Sequence, residues 1–271
     1  KHIEELGNCF FINENKKFIS GPNLDRIKHL DDVDSPYSLG FFDHFLEAGT
    51  FQPLIQTNRG CPYKCTFCHE GMSYYNKIHY RSLEYVKNEL SYIAERVNPP
   101  VGLHIADSNW GMYKQDIEIA YHIRELKEKY KWPMYIHCST GKSQLPRIIE
   151  TAKILDGALR ITNAVQSLDN NVLDSIKRTN LHNLQDYIKS MDTISEPDII
   201  LPLPKETLKG FKKGLNELLD TKAPIRFTVH PTLLLSNTEM LREFKDDKHG
   251  LIKKYRQNQN LIDFINNKLV C

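Results

Sequence analysis

Six short apolar runs alternate with segments of helical spacing between residues 53 and 229, and this rhythm constrains the fold more than any other feature. The runs are residues 53–57, 101–106, 134–138, 158–165, 198–201 and 225–229. Between them lie helix-patterned stretches. In the clearest, Ser82 stands at a cap position and Leu83, Val86, Leu90, Ile93 and Val97 follow at helical spacing. Pro99-Pro100 ends that stretch. Further helices are expected over residues 116–129, 144–153 and 206–219, in two pieces between 170 and 191, and in a tail at 261–269. Strands that alternate with helices imply an α/β fold with a parallel sheet and right-handed crossovers. Chemistry in such folds collects in the loops beyond the C-terminal strand ends. Here those loops are the cysteine-bearing segment after residue 57, residues 107–109, 139–142, 166–167 and 202–204.

Residues 1–50 have a different character. Residues 8–19 read as a hairpin, two apolar runs around Asn13-Glu14-Asn15-Lys16-Lys17. A turn-rich connector at 30–37 and a short amphipathic helix at 39–46 complete a lead-in. The start, Lys1-His2-Ile3, has neither an initiator Met nor the charged-then-apolar pattern of a signal peptide, so a chain cut from something longer is expected. No run reaches the roughly 18 apolar residues of a membrane span. A net charge of +2 gives no electrostatic footprint for nucleic acid.

Three of the six cysteines fall within Cys61-Pro62-Tyr63-Lys64-Cys65-Thr66-Phe67-Cys68. Thiols grouped in this way point to a metal site in a reducing compartment, the cytoplasm by default, rather than to a disulfide framework. Three thiolates in one loop can ligate three irons of a cubane and leave the fourth open. The alternatives are a structural zinc site with His69 or Cys138 as fourth ligand, or three incidental cysteines.

The Cys-x3-Cys-x2-Cys spacing with Phe67 before the last cysteine resembles the signature of the radical S-adenosylmethionine (SAM) superfamily. Other segments match in order: the connector Leu30-Asp31-Asp32-Val33-Asp34-Ser35-Pro36-Tyr37, the helix carrying Arg81, Ser82, Val86, Glu89 and Leu90, and Asp107-Ser108-Asn109. Ser139 and Lys142, Val165-Gln166-Ser167-Leu168-Asp169, residues 200–207, and residues 229–239 follow. The connector and first helix are similar to the branch with an N-terminal cobalamin-binding domain. The resemblance implies a partial (β/α)6 TIM-like barrel over residues 51–240, preceded by the 1–50 lead-in and followed by a helical tail at 241–271. It implies a [4Fe-4S] cluster on Cys61, Cys65 and Cys68, and SAM cleaved reductively to a 5′-deoxyadenosyl radical. Phe67, Asp107, Asn109, Ser139, Lys142, Gln166 and Ser167 are implied as cofactor-binding residues, and cobalamin is implied through an upstream domain. A small-molecule or peptide substrate and an electron donor such as flavodoxin or ferredoxin would be the partners. No nucleic acid or membrane is expected. A cobalamin-independent member of the superfamily is the rival enzyme reading, and a non-catalytic zinc-binding module is the rival from another class.

Two departures from the family pattern bear on local geometry. Lys205 stands where the family usually has Gly, and a different turn is expected because a side chain disfavours positive φ. Asn237 also replaces a Gly, but Asn tolerates left-handed geometry. His69, His104, His137 and His230 lie near strand ends and are candidates for proton transfer, with hydrogen-bonded barrel positions as the duller reading. Tyr74, Tyr75 and Tyr80 could line a cavity or simply pack, and Cys138 reads best as a small buried hydrophobe.

Overall fold

The computed structural model describes residues 6–159, 161–178, 196–221, 225–244 and 250–254, without the side chains of Thr162 and Asn163. The chain divides into two compact units: Lys1–Cys61 with Lys77–Ile161, and Pro62–Asn76 with Thr162–Cys271. The expected tail helix at 261–269 and the second helical piece before 191 lie outside the described residues.

The first unit opens with the expected hairpin, β1 (Phe10–Ile12) antiparallel to β2 (Phe18–Ser20). Helix α1 spans Asp43–Ala48 and ends at Gly49, whose φ of +63° is the left-handed closure that glycine allows. It starts four residues later than the periodicity implied, because residues 38–42 form turns instead. Three parallel strands follow in the order β3 (Leu54–Ile55), β6 (Leu103–Trp110) and β7 (Ile136–Thr140). Leu54 pairs with His104, and His104 with His137. A further parallel bridge joins Ile136 to Leu159, within the run expected as the fourth strand.

Helices α2 (Leu83–Arg96), α3 (Lys114–Tyr130) and α4 (Leu145–Ile154) belong to this unit. Ser82 caps α2 by accepting the Tyr85 N–H at 3.1 Å, as its sequence position implied. Val86, Leu90 and Ile93 of α2 and Ile119 and Ile123 of α3 share one buried core with Ile55, Leu103, Ile105 and Ile136 from the strands. Between β3 and α2, β4 (Asn58–Arg59) and β5 (His79–Tyr80) form an antiparallel pair.

The connector at 30–37 is bound along α2. Asp31 accepts the Ser82 N–H, Arg81 donates to the carbonyls of Leu30 and Val33, and Tyr85 Oη donates to Val33. Buried Glu89 accepts from Ser35 Oγ. Burial holds the Glu89 carboxyl above its ordinary pKa, opposed by the Ser35 hydrogen bond and the Arg81 charge. Tyr37 ends the connector, with its hydroxyl accepting Leu54 N–H at 2.9 Å and donating to Leu54 C=O at 3.0 Å. One side chain thus satisfies both backbone groups of a β3 residue.

The second unit carries β8 (Thr162–Gln166), β9 (Glu196–Leu201) and β10 (Thr228–Pro231), parallel in the order β10-β9-β8. Its helices are α5 (Asn170–Ser175), α6 (Leu208–Leu219) and α7 (Glu239–Phe244). Val172, Leu173, Ile176, Leu203 and Met240 form its apolar core, with Phe67 packed against them. All six expected strands pair in parallel at the expected points in the chain, with shifted bounds. The last starts at Thr228 rather than 225, and β6 and β7 run further toward their C-terminal ends.

Tyr37→Phe removes both bonds to Leu54 while keeping the ring. It is expected to destabilise the chain by about 1–3 kcal/mol, the cost of leaving half-buried backbone groups unpaired, and the midpoint of urea denaturation measures it.

Candidate metal centre

The cysteine loop is closed at its base. Strands β4 and β5 pair Asn58 with Tyr80 and Arg59 with His79, and the Arg81 N–H reaches Thr57 C=O at 2.9 Å. Asp107 holds that base to β6. Its buried carboxylate accepts from Thr57 N–H at 2.8 Å, Asn58 N–H at 3.3 Å, Asn58 Nδ2 at 2.7 Å and Thr57 Oγ1.

Asp107 and Asn109 were expected in a loop after a strand. They lie inside β6, because the alternation that buries Leu103 and Ile105 continues through both residues. Asn109 is 1% exposed. Its Nδ2 donates to Cys61 Sγ at 3.3 Å, and its Oδ1 accepts from Lys142 Nζ at 2.8 Å. Lys142 also donates to Ser108 C=O at 3.1 Å. Ser139, likewise expected in a loop, is an exposed residue of β7.

Burial raises the Asp107 carboxyl to about 6, against the lowering effect of the bonds from Thr57 and Asn58. Asp116 at the start of α3 is raised to about 7, first by burial and then by the charge of Asp107, with the Tyr113 N–H bond opposing. Cys138, 4% exposed beside these carboxyls, has its thiol pushed well up by the same burial, which fits a buried hydrophobe.

In the second unit the loop folds as successive turns: Cys68 N–H to Cys65 C=O, Gly71 N–H to Cys68 C=O, and Met72 N–H to His69 C=O. Gly71 is required there, since a Cβ would stand 2.1 Å from the Cys65 carbonyl oxygen. Buried Thr66 is stitched on both sides, donating to Ile176 C=O at 3.1 Å and accepting Met240 N–H at 2.9 Å. Phe67, expected at the cofactors, packs on the apolar core of this unit and so anchors the loop.

Cys65 is 5% exposed and receives Arg178 Nη1 at 3.8 Å; Arg178 is itself 4% exposed and also donates to Ala164 C=O. No motif read above singled out Arg178, Thr57 or Asn58. A lone cation after a short helix carries no signal until its burial is seen.

Gln166 and Ser167 end β8. Gln166 is 7% exposed with φ +70°, a region non-glycine residues rarely occupy, and the β8–β9 register shifts just before it. Its buried Oε1 has no partner among the described residues. Ser167 Oγ donates to Glu206 at 3.0 Å and accepts the Asp169 N–H. Lys205 has φ +65°, so the turn keeps the glycine-like geometry instead of departing from it, and Asn237 has φ +63° as expected. Beyond β9 and β10 lies a cavity of about 420 Å³ lined by Pro202, Thr232, Leu234, Leu241, Phe244 and Ile252.

The histidines are engaged in hydrogen bonds. His69 Nε2 meets Ser236 C=O at 2.6 Å, His104 and His137 meet through Nδ1 at 3.3 Å, and His230 pairs with Asp198 at 2.9 Å. Tyr80 packs edge-on against Tyr113, and Tyr74 against Tyr75. Among the described residues no three His, Cys, Asp or Glu side chains gather as ligands of one metal ion would.

The donor set nonetheless fits an iron–sulfur cluster. Cys61, Cys65 and Cys68 offer three sulfurs, and the two buried ones, Cys61 and Cys65, each face an N–H donor from a buried side chain. A parallel α/β fold with three cysteines in the loop after its first strand fits a protein that would carry iron and sulfur on cysteine. The description "Radical SAM superfamily" matches residues 55–218, more than half of the chain. The chain belongs to that superfamily, whose members hold a [4Fe-4S] cluster and use SAM.

Among its relatives is the cobalamin-dependent radical SAM methyltransferase TokK of Streptomyces tokunonensis. It is 28% identical over 253 residues, which cover 89% of this chain and 37% of the relative. A second, 2-(S-pantetheinyl)-carbapenam-3-carboxylate methyltransferase of Streptantibioticus cattleyicolor, is 28% identical over 254 residues with the same coverage. This chain therefore spans well under half the length of these relatives. Among solved structures, the cobalamin-dependent SAM radical enzyme OxsB matches with a TM-score of 0.64 at 16% identity, over 92% of this chain and 42% of that one. That likeness shows the fold. Among the described residues, no helix is long and apolar enough to cross a membrane.

The raised carboxyls give a pH signature. A carboxyl with an ordinary value near 3.8 when unfolded and about 7 when folded binds more protons in the folded state between those limits. The stability it contributes is therefore complete below about pH 4 and lost as pH rises toward 7. Asp116→Asn keeps an oxygen for the Tyr113 N–H and removes the titration. Relative to the parent, the variant should gain up to about 1.4 kcal/mol per pH unit across that window, measured by denaturant unfolding at pH 4.5, 5.5 and 6.5.

Proposed function

We propose that this chain is the radical SAM segment of a cobalamin-dependent methyltransferase. The observation that carries the reading is the loop itself: family spacing, two buried thiols each under a hydrogen-bond donor, and a base locked to β6 by Asp107. When bound, the cluster supplies one electron for cleavage of SAM to methionine and a 5′-deoxyadenosyl radical. TokK and OxsB are both described as cobalamin-dependent, and the extra length of the relatives leaves room for the domain that would bind cobalamin.

The protein's own work is positioning. In the first unit, Asp107 keeps the loop base in place and Asn109 aims at Cys61, with Lys142 behind it. Ser139 and Lys142 are proposed SAM contacts there, and Lys142 would meet a carboxylate as a point charge. In the second unit, Gln166 offers an unpaired buried oxygen that suits a hydroxyl or ammonium donor of SAM, with Ser167 beside it. The 420 Å³ cavity beyond β9 and β10 is within the range that holds a small ligand, and an apolar wall of Leu234, Leu241 and Phe244 suits an adenine ring. The substrate is proposed to be a small molecule and the reductant a flavodoxin or ferredoxin. The grouping of three cysteines in one loop supports a reducing compartment such as the cytoplasm.

The test is anaerobic reconstitution of the chain with iron and sulfide, reduction in the presence of SAM, and assay of 5′-deoxyadenosine. Product is expected from the parent, with a loss of about 100-fold or more in Cys65→Ala, since removing a ligand costs at least as much as removing an outer-shell partner, about 10–100-fold. A protein that takes up zinc, stays colourless and never cleaves SAM would return the site to a structural role.

A further inference from the structure

In each unit one cysteine of the loop accepts a hydrogen bond from a buried side chain; a cation stands behind the donor in the first unit and is itself the donor in the second. In the first unit Asn109 bridges Lys142 and Cys61. An ammonium has only donors, so the amide oxygen must face Lys142 and the NH2 must face the sulfur. Lys142 therefore fixes which way the amide points. A flipped amide would set N–H against N–H at 2.8 Å inside a site where Asn109 is 1% exposed.

In the second unit Arg178 is the cation and the donor at once. It is 4% exposed, and it donates to Cys65 Sγ and to the Ala164 carbonyl. Among the described residues no carboxylate stands within ion-pair distance of it. A guanidinium stays charged, and a buried charge without a counter-charge is costly. A thiolate at Cys65 would supply an anion that none of the described carboxylates supplies to this position.

We propose that Asn109, oriented by Lys142, and Arg178 are positioning residues that donate to the cluster's cysteine sulfurs and hold its reduction potential up. The inference rests on the functional reading above. One-electron reduction, with the electron taken from dithionite in the test, forms and breaks no bond and adds one negative charge to the thiolate-held group. Donors aimed at Cys61 and Cys65 stabilise that more negative state more than the oxidised one, so losing them makes reduction harder.

The test uses the full chain, reconstituted with iron and sulfide and titrated with dithionite against mediator dyes without SAM. The reduced state is followed by electron paramagnetic resonance, and iron content is measured in parallel. Asn109→Leu and Arg178→Gln are each expected to lower the one-electron reduction equilibrium about tenfold, a shift of about 59 mV. Lys142→Met, which leaves the amide in place but free to turn, should cost about threefold, and Arg178→Lys should stay within threefold of the parent. Variants that load normally and keep the parent's potential would overturn the proposal. Should Arg178→Gln fail to take up iron, Arg178→Lys decides: a loaded protein with the parent's potential supports the role of charge, and an unloaded one removes Arg178 from the proposal. A parent that takes up no iron and sulfide sinks the functional reading and this inference together. Potentials that move as expected without SAM cleavage leave this inference standing and count against the functional reading alone.

Discussion

The carboxylate of Asp107 is the contact on which the candidate site is built. It joins β6 to Thr57 and Asn58, residues fifty positions earlier in the chain, through two backbone N–H groups and two side chains. Bonds from several donors to one buried carboxylate offset the cost of taking it out of water. They do so only in part, because burial still leaves its pKa raised to about 6. The antiparallel pair of β4 and β5 is two residues long on each side, too short to hold a loop base by itself. Asp107 supplies the missing constraint. Asn109 follows two residues later on the same face of β6, which is why its amide meets Cys61. One residue of slip in β6 would turn both side chains away from the core.

The same economy explains why two stretches of family-like sequence occur together. The connector at 30–37 and the start of α2 are the two sides of one hydrogen-bonded seam. Asp31 meets Ser82, Arg81 meets Leu30 and Val33, Tyr85 meets Val33, and Ser35 meets Glu89. Glu89 lies on the buried face of α2, where a carboxylate is costly without a donor, and Ser35 is that donor. Tyr37 then carries the seam to β3 by bonding both backbone groups of Leu54. The lead-in thus fixes the strand from which the cysteine loop departs, although it forms little regular structure of its own.

The order and type of the core elements were legible because apolar period and turn chemistry agree, as in α2, where Ser82 and the positions of Val86, Leu90 and Ile93 all hold. The polar ends of strands were not. Asp107, Asn109 and Ser139 read as loop residues because strands are recognised by apolar character, yet β6 and β7 continue through them on the same alternation. Polar residues at buried strand positions betray themselves only through partners distant in sequence. Arg178 shows this most clearly, since its meaning lies in burial beside Cys65. Lys205 failed in the opposite sense: its side chain argued against a left-handed turn, and the backbone adopts one at φ +65°.

Hydrogen-bond accounting separates the residues that build the site from those left to meet a ligand. Asp107 has four donors and Asn109 has both ends of its amide engaged, so each is already committed within the protein. Gln166 is the opposite case. It is buried at the end of β8 in a backbone conformation that costs energy, and its side-chain oxygen has no partner among the described residues. A buried acceptor left unpaired costs about 1–3 kcal/mol, and a folded chain tolerates that where a ligand supplies the missing donor. Strain and an unmet hydrogen bond at one residue therefore support the proposed ligand contact at Gln166, while Asp107 shows what a residue looks like once its work is structural.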